Sequence, residues 1–341
     1  MDSFNVVVHN DRVKNVSATI SHVVDCITNN RDVSLFIDES PDLACVLVEK
    51  EYFVSLLQGL CEKFGYSPSR ISIEIENLVQ SDCWPNIKRC YKSVDVFYGQ
   101  QLKFKVDKRN IKFKTSIFAH GSRWPRLSLA SYIYGNYKDD SIISYWQNLK
   151  DRTQPCSLYL DDLFMNHMLK GVDTAFIDQI KNFLNALPLH VQDADRERNK
   201  NIGSINYPEA YDLAPIYNEI FCDVVCETVH NGQTFAFTEK SARCWLTKTP
   251  FLVFGPKHYL SNIRRLGFQT FGAFWNESYD RYDNATRILM MQKQIDCIHQ
   301  MDQKTLTEMY WSDEMQKILE NNNQVFKGLS SDRIKEVFGI V

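Results

Sequence analysis

Residues 237–259 read FTEKSARCWLTKTPFLVFGPKHY. A hydroxyl, an acid and a base stand in a row at Thr238, Glu239 and Lys240, and a dry run over 250–254 then stops at Gly255-Pro256. Thr238 suits the cap of a short helix over 238–248, because its hydroxyl can take an otherwise unpaired backbone N–H. The run Phe251-Leu252-Val253-Phe254 predicts a strand covered on both faces, since it shows no polar alternation. HYLSNIRRLG then predicts a second helix, closed by Gly267. Helix, buried strand, helix is the rhythm of a parallel α/β layer. The start of a helix favours anions, and Lys240 adds a full charge there. Glu239 is a double acceptor suited to a ribose diol, and a ligand would approach outside the carboxyl end of the strand, at Gly255. The stretch therefore suits a nucleotide diphosphate. The competing reading is a capped surface helix whose exposed Glu–Lys pair is worth about 0–1 kcal/mol.

Working outward, AYDLAPIYNEIFCDVVCETVH (210–230) predicts a helix and then a strand through Phe221, Val224 and Val225 that ends near Glu227. Residues 127–187 read as mainly helical, in LSLASYIYGNY, ISYWQNLKDR and VDTAFIDQIKNFLNAL, and 191–210 as a long polar loop. From Asn284 onward three helical segments are expected, with no chemical signature. The first hundred residues alternate strands (FNVVVHN, VSLFIDES, and Ile71, Ile73 and Ile75 spaced by polar residues) with a helix over 51–64 that Gly65 would stop. At 341 residues, the chain can bury two cores. A composition of 44% hydrophobic and 24% charged residues excludes disordered and collagen-like classes.

The net charge of −3 is uneven: from Lys88 to Arg126, eleven Lys/Arg face only Asp95 and Asp107. Within that run, Leu102, Phe104 and Val106 alternate with Lys103 and Lys105, and Ile111 and Phe113 with Lys112 and Lys114. This predicts a hairpin with one lysine face, serving either as edge protection or as a surface for phosphate. The ten scattered cysteines form no CxxC pair and are expected to be reduced thiols. The amino terminus lacks the basic head and apolar core of a signal peptide, and no apolar run reaches bilayer length, so a cytoplasmic location without membrane attachment is expected.

The order of these pieces changes the weight of the Thr238-Glu239-Lys240 signal. A strand ending at Glu227, then FTEK, a helix, PFLVFGP, another helix and LGFQTFGAFWNESYD resembles the carboxyl-terminal half of fucosyltransferase-like glycosyltransferases, including glycosyltransferase-like proteins of phages and large DNA viruses. The resemblance covers 217–282 and, more weakly, 111–137. It implies a GT-B fold, two Rossmann-like domains facing a cleft with C-terminal helices. The domains expected are an acceptor-side one at 1–110, a donor-binding one at 111–285 and a helical segment at 286–341. It implies Glu239 for the ribose, Lys240 for the diphosphate, Phe237 packed near the donor, and an arginine from FAHGSRWPRLSLASYI, Arg126 ahead of Arg123. It leans toward an inverting enzyme with a nucleotide-sugar co-substrate and neither metal nor other cofactor.

Transfer to a hydroxyl needs a base, expected at a strand end of the amino-terminal domain: Glu39 or Asp38, then Glu76, then His120. Glu227 is a candidate for contact with the sugar. Asp161-Asp162 mimics an acidic metal motif but lies in an amphipathic segment. The family's stem and membrane anchor are not expected in this chain, and Cys244-Trp245 stands where the family has a small helix with an asparagine. For the acceptor, the basic run (Lys103, Lys105, Lys112 and Lys114, interleaved with aromatics) suits a phosphate backbone, and together with the resemblance to phage proteins it implies a hydroxymethylated base of viral DNA, with DNA then a partner. The rivals are a glycan or small saccharide, and a non-catalytic nucleotide-binding protein on the same scaffold.

Overall fold

The computed structural model describes residues 4–6, 8–9, 12–13, 16–37, 51–76, 84–90, 109–119, 124–145, 174–189, 214–227, 230, 235, 237–282 and 284–340. They form a mixed α/β structure built on two parallel sheets. The chain opens with β1 (Phe4–Val6) and a small antiparallel pair, β2 (Val8–His9) and β3 (Arg12–Val13). β4 (Val33–Ile37), β5 (Ile71–Glu76) and β6 (Ile87–Cys90) then line up beside β1 in that order, every pair parallel.

The helices between these strands follow from their apolar spacing. α1 (Val16–Thr28) buries Thr19, Val23, Cys26 and Ile27, and α2 (Glu51–Phe64) buries Val54, Leu57 and Cys61, each set lying on one helical face. Gly65 ends α2 in the left-handed region (φ 59°), where a side chain would strain. In β5, Ile71, Ile73 and Ile75 are buried while Ser72 and Glu74 are half-buried, the alternation read from the sequence. These side chains and Trp84, whose indole donates to Ile71 O at 2.8 Å, make one self-contained core.

The second sheet holds β7 (Phe113–Ala119), β8 (Ser141–Tyr145), β9 (Ile220–Cys226) and β10 (Phe251–Phe254), in the order β10-β9-β7-β8 and all parallel. From β7 the chain passes through α3 (Trp124–Tyr137) to β8 on one side. After α4 (Thr174–Ala186) and the single turn α5 (Ala214–Tyr217), it returns as β9 on the other side of β7. α6 (Glu239–Leu246) leads on to β10, and α7 (Tyr259–Arg265) follows. The direction of winding reverses between β7 and β9, the topology that opens a crevice at their carboxyl ends. Every residue of β9 and β10 is buried, which explains the unbroken apolar run of β10 and that of β9, interrupted only at Asp223.

Three expectations change. IKFK is not an exposed hairpin arm. β7 is a central strand with Phe113 opposite Ile220 and Thr115 opposite Ser141, and the lysines at its mouth turn back to the protein. Lys112 pairs with Glu219, and Lys114 donates to His299 O at 2.8 Å with Asp140 3.6 Å away. The segment from Ile143 begins as strand, not helix, because β8 completes the free edge of β7; pairing outweighs local preference there. The carboxyl-terminal helices number four, not three: α8 (Asn284–Gln300), α9 (Gln303–Trp311), α10 (Asp313–Gly328) and α11 (Ser331–Phe338). Asp302, Ser312 and Ser330 each accept from a backbone N–H three residues on, and each caps a new helix. Met291, Ile295, Leu306, Met315, Leu319, Phe326 and Ile334 add these helices to the second sheet's core.

Arg109 fastens the start of this sheet. Its buried guanidinium donates to Ile220 O and Thr247 O, both at 2.7 Å, and to Thr249 Oγ1 at 2.8 Å, and it lies 4.5 Å from the Tyr310 ring centre. Cys26, Cys61, Cys222, Cys226, Cys244 and Cys297 are free thiols. No helix among the described residues is long and apolar enough to cross a membrane.

His299 gives the fold a pH signature. It stacks on Tyr137 at 3.9 Å, with Nε2 3.0 Å from Thr115 Oγ1. Burial first, and the Lys114 ammonium second, hold it down at about 4 from its ordinary 6.5. The folded protein keeps a neutral imidazole where the unfolded chain would protonate it, so this contribution is complete above pH 6.5 and is lost as pH falls toward 4. Urea midpoints measured between pH 7 and pH 4 should fall, and His299→Gln should flatten that slope.

Candidate anion site at the carboxyl ends of β7 and β9

β9 carries two buried acids, Asp223 and Glu227, four residues apart and so on one face of the strand. Both are used to hold α6. The Glu227 carboxylate accepts from Thr238 Oγ1 at 2.5 Å, Thr238 N at 3.3 Å, Ser241 Oγ at 2.6 Å and Tyr259 OH at 3.0 Å. A desolvated carboxylate requires such donors. Thr238 and Ser241 are three residues apart, so both hydroxyls reach the same acceptor from the first turn of α6. Thr238 is at the same time the helix cap, taking Lys240 N at 3.4 Å.

Asp223 works at the other end of the helix. It accepts from Ser116 Oγ at 2.7 Å, Tyr217 OH at 2.8 Å and Cys244 Sγ at 3.5 Å. Burial pushes its carboxyl up, against the Arg243 charge and these donors, all of which favour the ionised form. Arg243, also buried, lies 5.7 Å from the Phe118 ring centre. The short helix is thus fixed to the sheet at both ends by side chains of one strand.

This fixation sets the place of Lys240. The half-buried lysine brings Nζ to 3.4 Å from Thr238 Oγ1. Arg126, in the first turn of α3, is buried on the β7 side of the reversal. The charges of Arg126, Lys240 and Glu227 all reach the Cys226 thiol at the end of β9, which burial above all pushes up to about 12. The thiol therefore stays protonated. His230, beyond the strand end, sits 5.5 Å from the ring of Trp124 and 6.1 Å from that of Phe254. α3 follows β7 and the start of α6 is pinned to Glu227 just past β9, so a helix start with a cation stands beyond each of two adjacent strands where the sheet reverses, an arrangement that suits phosphate or another anion.

The structure places several sequence candidates. Glu227 is the pin of the α6 start, its oxygens turned to Thr238, Ser241 and Tyr259. Phe237 is buried, 5.3 Å from Trp245 and 6.2 Å from Phe235. Gly255 is required by a neighbour: a Cβ there would lie 2.5 Å from Tyr259 Cδ2, and its carbonyl accepts from the Arg287 guanidinium. Close packing accounts for this glycine without a ligand.

Glu239 is the first residue of α6 and Glu76 the last of β5; the side chains of both lie outside the described residues. Asp38, Glu39, Lys103, Lys105, His120, Arg123 and the Asp161-Asp162 pair lie outside them altogether. Ser241, Tyr259 and His230 were missed. Only Ser241 had a legible signal, a second hydroxyl three residues after the cap. Among the described residues, no group of three His, Cys, Asp or Glu could hold a metal ion. No protein-family model, curated protein or solved structure matches this chain.

The pin and the cation should separate in stability measurements. Glu227→Ala leaves three buried hydroxyls without their acceptor and should cost about 2–4 kcal/mol in urea unfolding. Lys240→Met should stay within about 1 kcal/mol of the parent. Gly255→Ala should cost about 1–3 kcal/mol by overpacking against Tyr259, while Gly59→Ala, in α2 with open space around it, should stabilise by about 0.5–1 kcal/mol.

Proposed function

We propose that this protein is a nucleotide-sugar-dependent glycosyltransferase, with the donor diphosphate held between Lys240 and Arg126 and the ribose beside Glu239. What supports the reading is that Lys240 follows the Thr238 cap pinned to Glu227 at the end of β9, while Arg126 lies in the first turn of the helix that follows β7, the neighbouring strand across the winding reversal. An acceptor hydroxyl attacks the anomeric carbon, the bond from that carbon to the diphosphate oxygen breaks, and a base takes the hydroxyl proton. Negative charge then grows on the departing diphosphate, where two fixed cations stabilise the transition state more than the ground state. The FTEK and PFLVFGP resemblance supports the same reading, and with it a two-domain GT-B arrangement in which the β1–β6 sheet presents the acceptor.

For the acceptor, the described cations favour a glycan or small saccharide over DNA. Of the eleven Lys/Arg in the basic run, Arg89, Arg109, Lys112, Lys114 and Arg126 are engaged with the protein or buried in it. That leaves less charge to hold a phosphate backbone than the sequence total suggests.

A panel of nucleotide sugars, assayed for donor hydrolysis and for transfer to saccharide and duplex DNA acceptors, tests this. One donor should be turned over, and Lys240→Ala and Arg126→Ala should each lower kcat by about a hundredfold or more. Failure of every donor to bind or react would sink the proposal, and salt-sensitive binding with transfer to DNA would reverse the choice of acceptor.

A further inference from the structure

The tip of α11 is gripped from both sheets. From β6 of the first sheet, the Arg89 guanidinium donates to Phe338 O at 2.9 Å and Gly339 O at 3.0 Å. From α7 of the second, Arg265 donates to Val337 O at 3.0 Å and covers the Phe338 ring at 4.3 Å. Three successive carbonyls at the negative end of one helix are thus held by two arginines whose positions are 176 residues apart in sequence.

The Phe338 side chain continues the contact inward. It is buried, and its ring lies 5.5 Å from that of Phe235. Phe235, also buried, packs edge-on to Tyr259 at 5.3 Å and lies 6.2 Å from Phe237. Tyr259 hydrogen-bonds Ser241 at 2.7 Å and Glu227 at 3.0 Å, the pair that holds the α6 start. A continuous line of packed and hydrogen-bonded groups therefore runs from Arg89, through Phe338, Phe235 and Tyr259, to the pin beneath Lys240.

We propose that Phe338 is a positioning residue: the tip of α11 is a strap that ties the segment 235–240, and with it the Lys240 cation, to the β6 edge of the first sheet. α11 has an apolar face of its own, through Ile334, that anchors it in the second core. Phe338 is the residue that adds contact with the segment leading to the site. As a catalytic device the strap rests on the donor-site reading above, but its mechanical role does not.

Hydrogen exchange on the full-length protein separates the two. In Phe338→Ala, amides of 235–240 should exchange about tenfold faster, while those of β7 and β9 keep their rates. Arg89→Ala should produce the same local change more weakly, and it keeps the test open if Phe338→Ala does not fold. Unchanged exchange at 235–240 in both variants would overturn the proposal. So would a uniform rise that includes β7 and β9, because Phe338 would then only stabilise the fold. A response to Phe338→Ala without any response to Arg89→Ala would remove the tie to the first sheet and overturn the strap as stated. In parallel, titration with UDP, GDP and ADP should show a Kd about tenfold weaker in Phe338→Ala. If the parent binds none of them, the donor reading fails, and the exchange rates alone decide the strap.

Discussion

A carboxylate buried at the end of a strand needs donors, and the answer to that need organises the whole carboxyl end of the second sheet. Glu227 receives a hydroxyl from the helix cap, a hydroxyl from the first turn and a phenol from the following helix. Any one of these would be an ordinary contact. Together they bring the loop before α6, α6 itself and α7 to a single point, with a geometry that neighbouring apolar packing could not fix, since dispersion has no direction. Asp223 repeats the device one helix length below. An eight-residue helix would not hold its shape alone, and this one is secured by the two charged members of an otherwise greasy strand.

The pin also fixes the place of a cation. Lys240 sits between Thr238 and Ser241 in the chain, whose hydroxyls turn to Glu227, and it remains half-buried with Nζ 3.4 Å from Thr238 Oγ1. Arg126 reaches the same ground from α3 because β7 and β9 are adjacent and their following helices depart in opposite senses. The reversal of winding is thus the reason that two segments more than a hundred residues apart share one electrostatic neighbourhood.

Three described cations of the basic run donate within the protein. Arg89, Arg109 and Lys114 each donate to backbone carbonyls far along the chain, at 338–339, at 220 and 247, and at 299. A carbonyl oxygen and a phosphate oxygen ask for the same kind of donor. Sequence cannot tell which of the two a lysine or arginine will meet. Long side chains with several donors suit the task of joining distant segments, because they reach exposed strand and helix ends that no hydrophobic residue could satisfy.

By itself the sequence determined the local rhythm: the buried run of β10, the alternation in β5, the stop at Gly65 and the Thr238 cap. Each depends on the periodicity or torsional preference of neighbouring residues, which is written in order along the chain. It also contained signals that were there to be read, in the capping residues Asp302, Ser312 and Ser330 that divide the last helices. The tertiary structure alone decided which strands are neighbours. It made a lysine-studded segment the centre of a sheet, turned Ile143–Tyr145 from helix to edge strand, and packed Tyr259 against Gly255. Those outcomes depend on what stands beside a residue across space, and two segments distant in sequence reveal their contact only once both are folded.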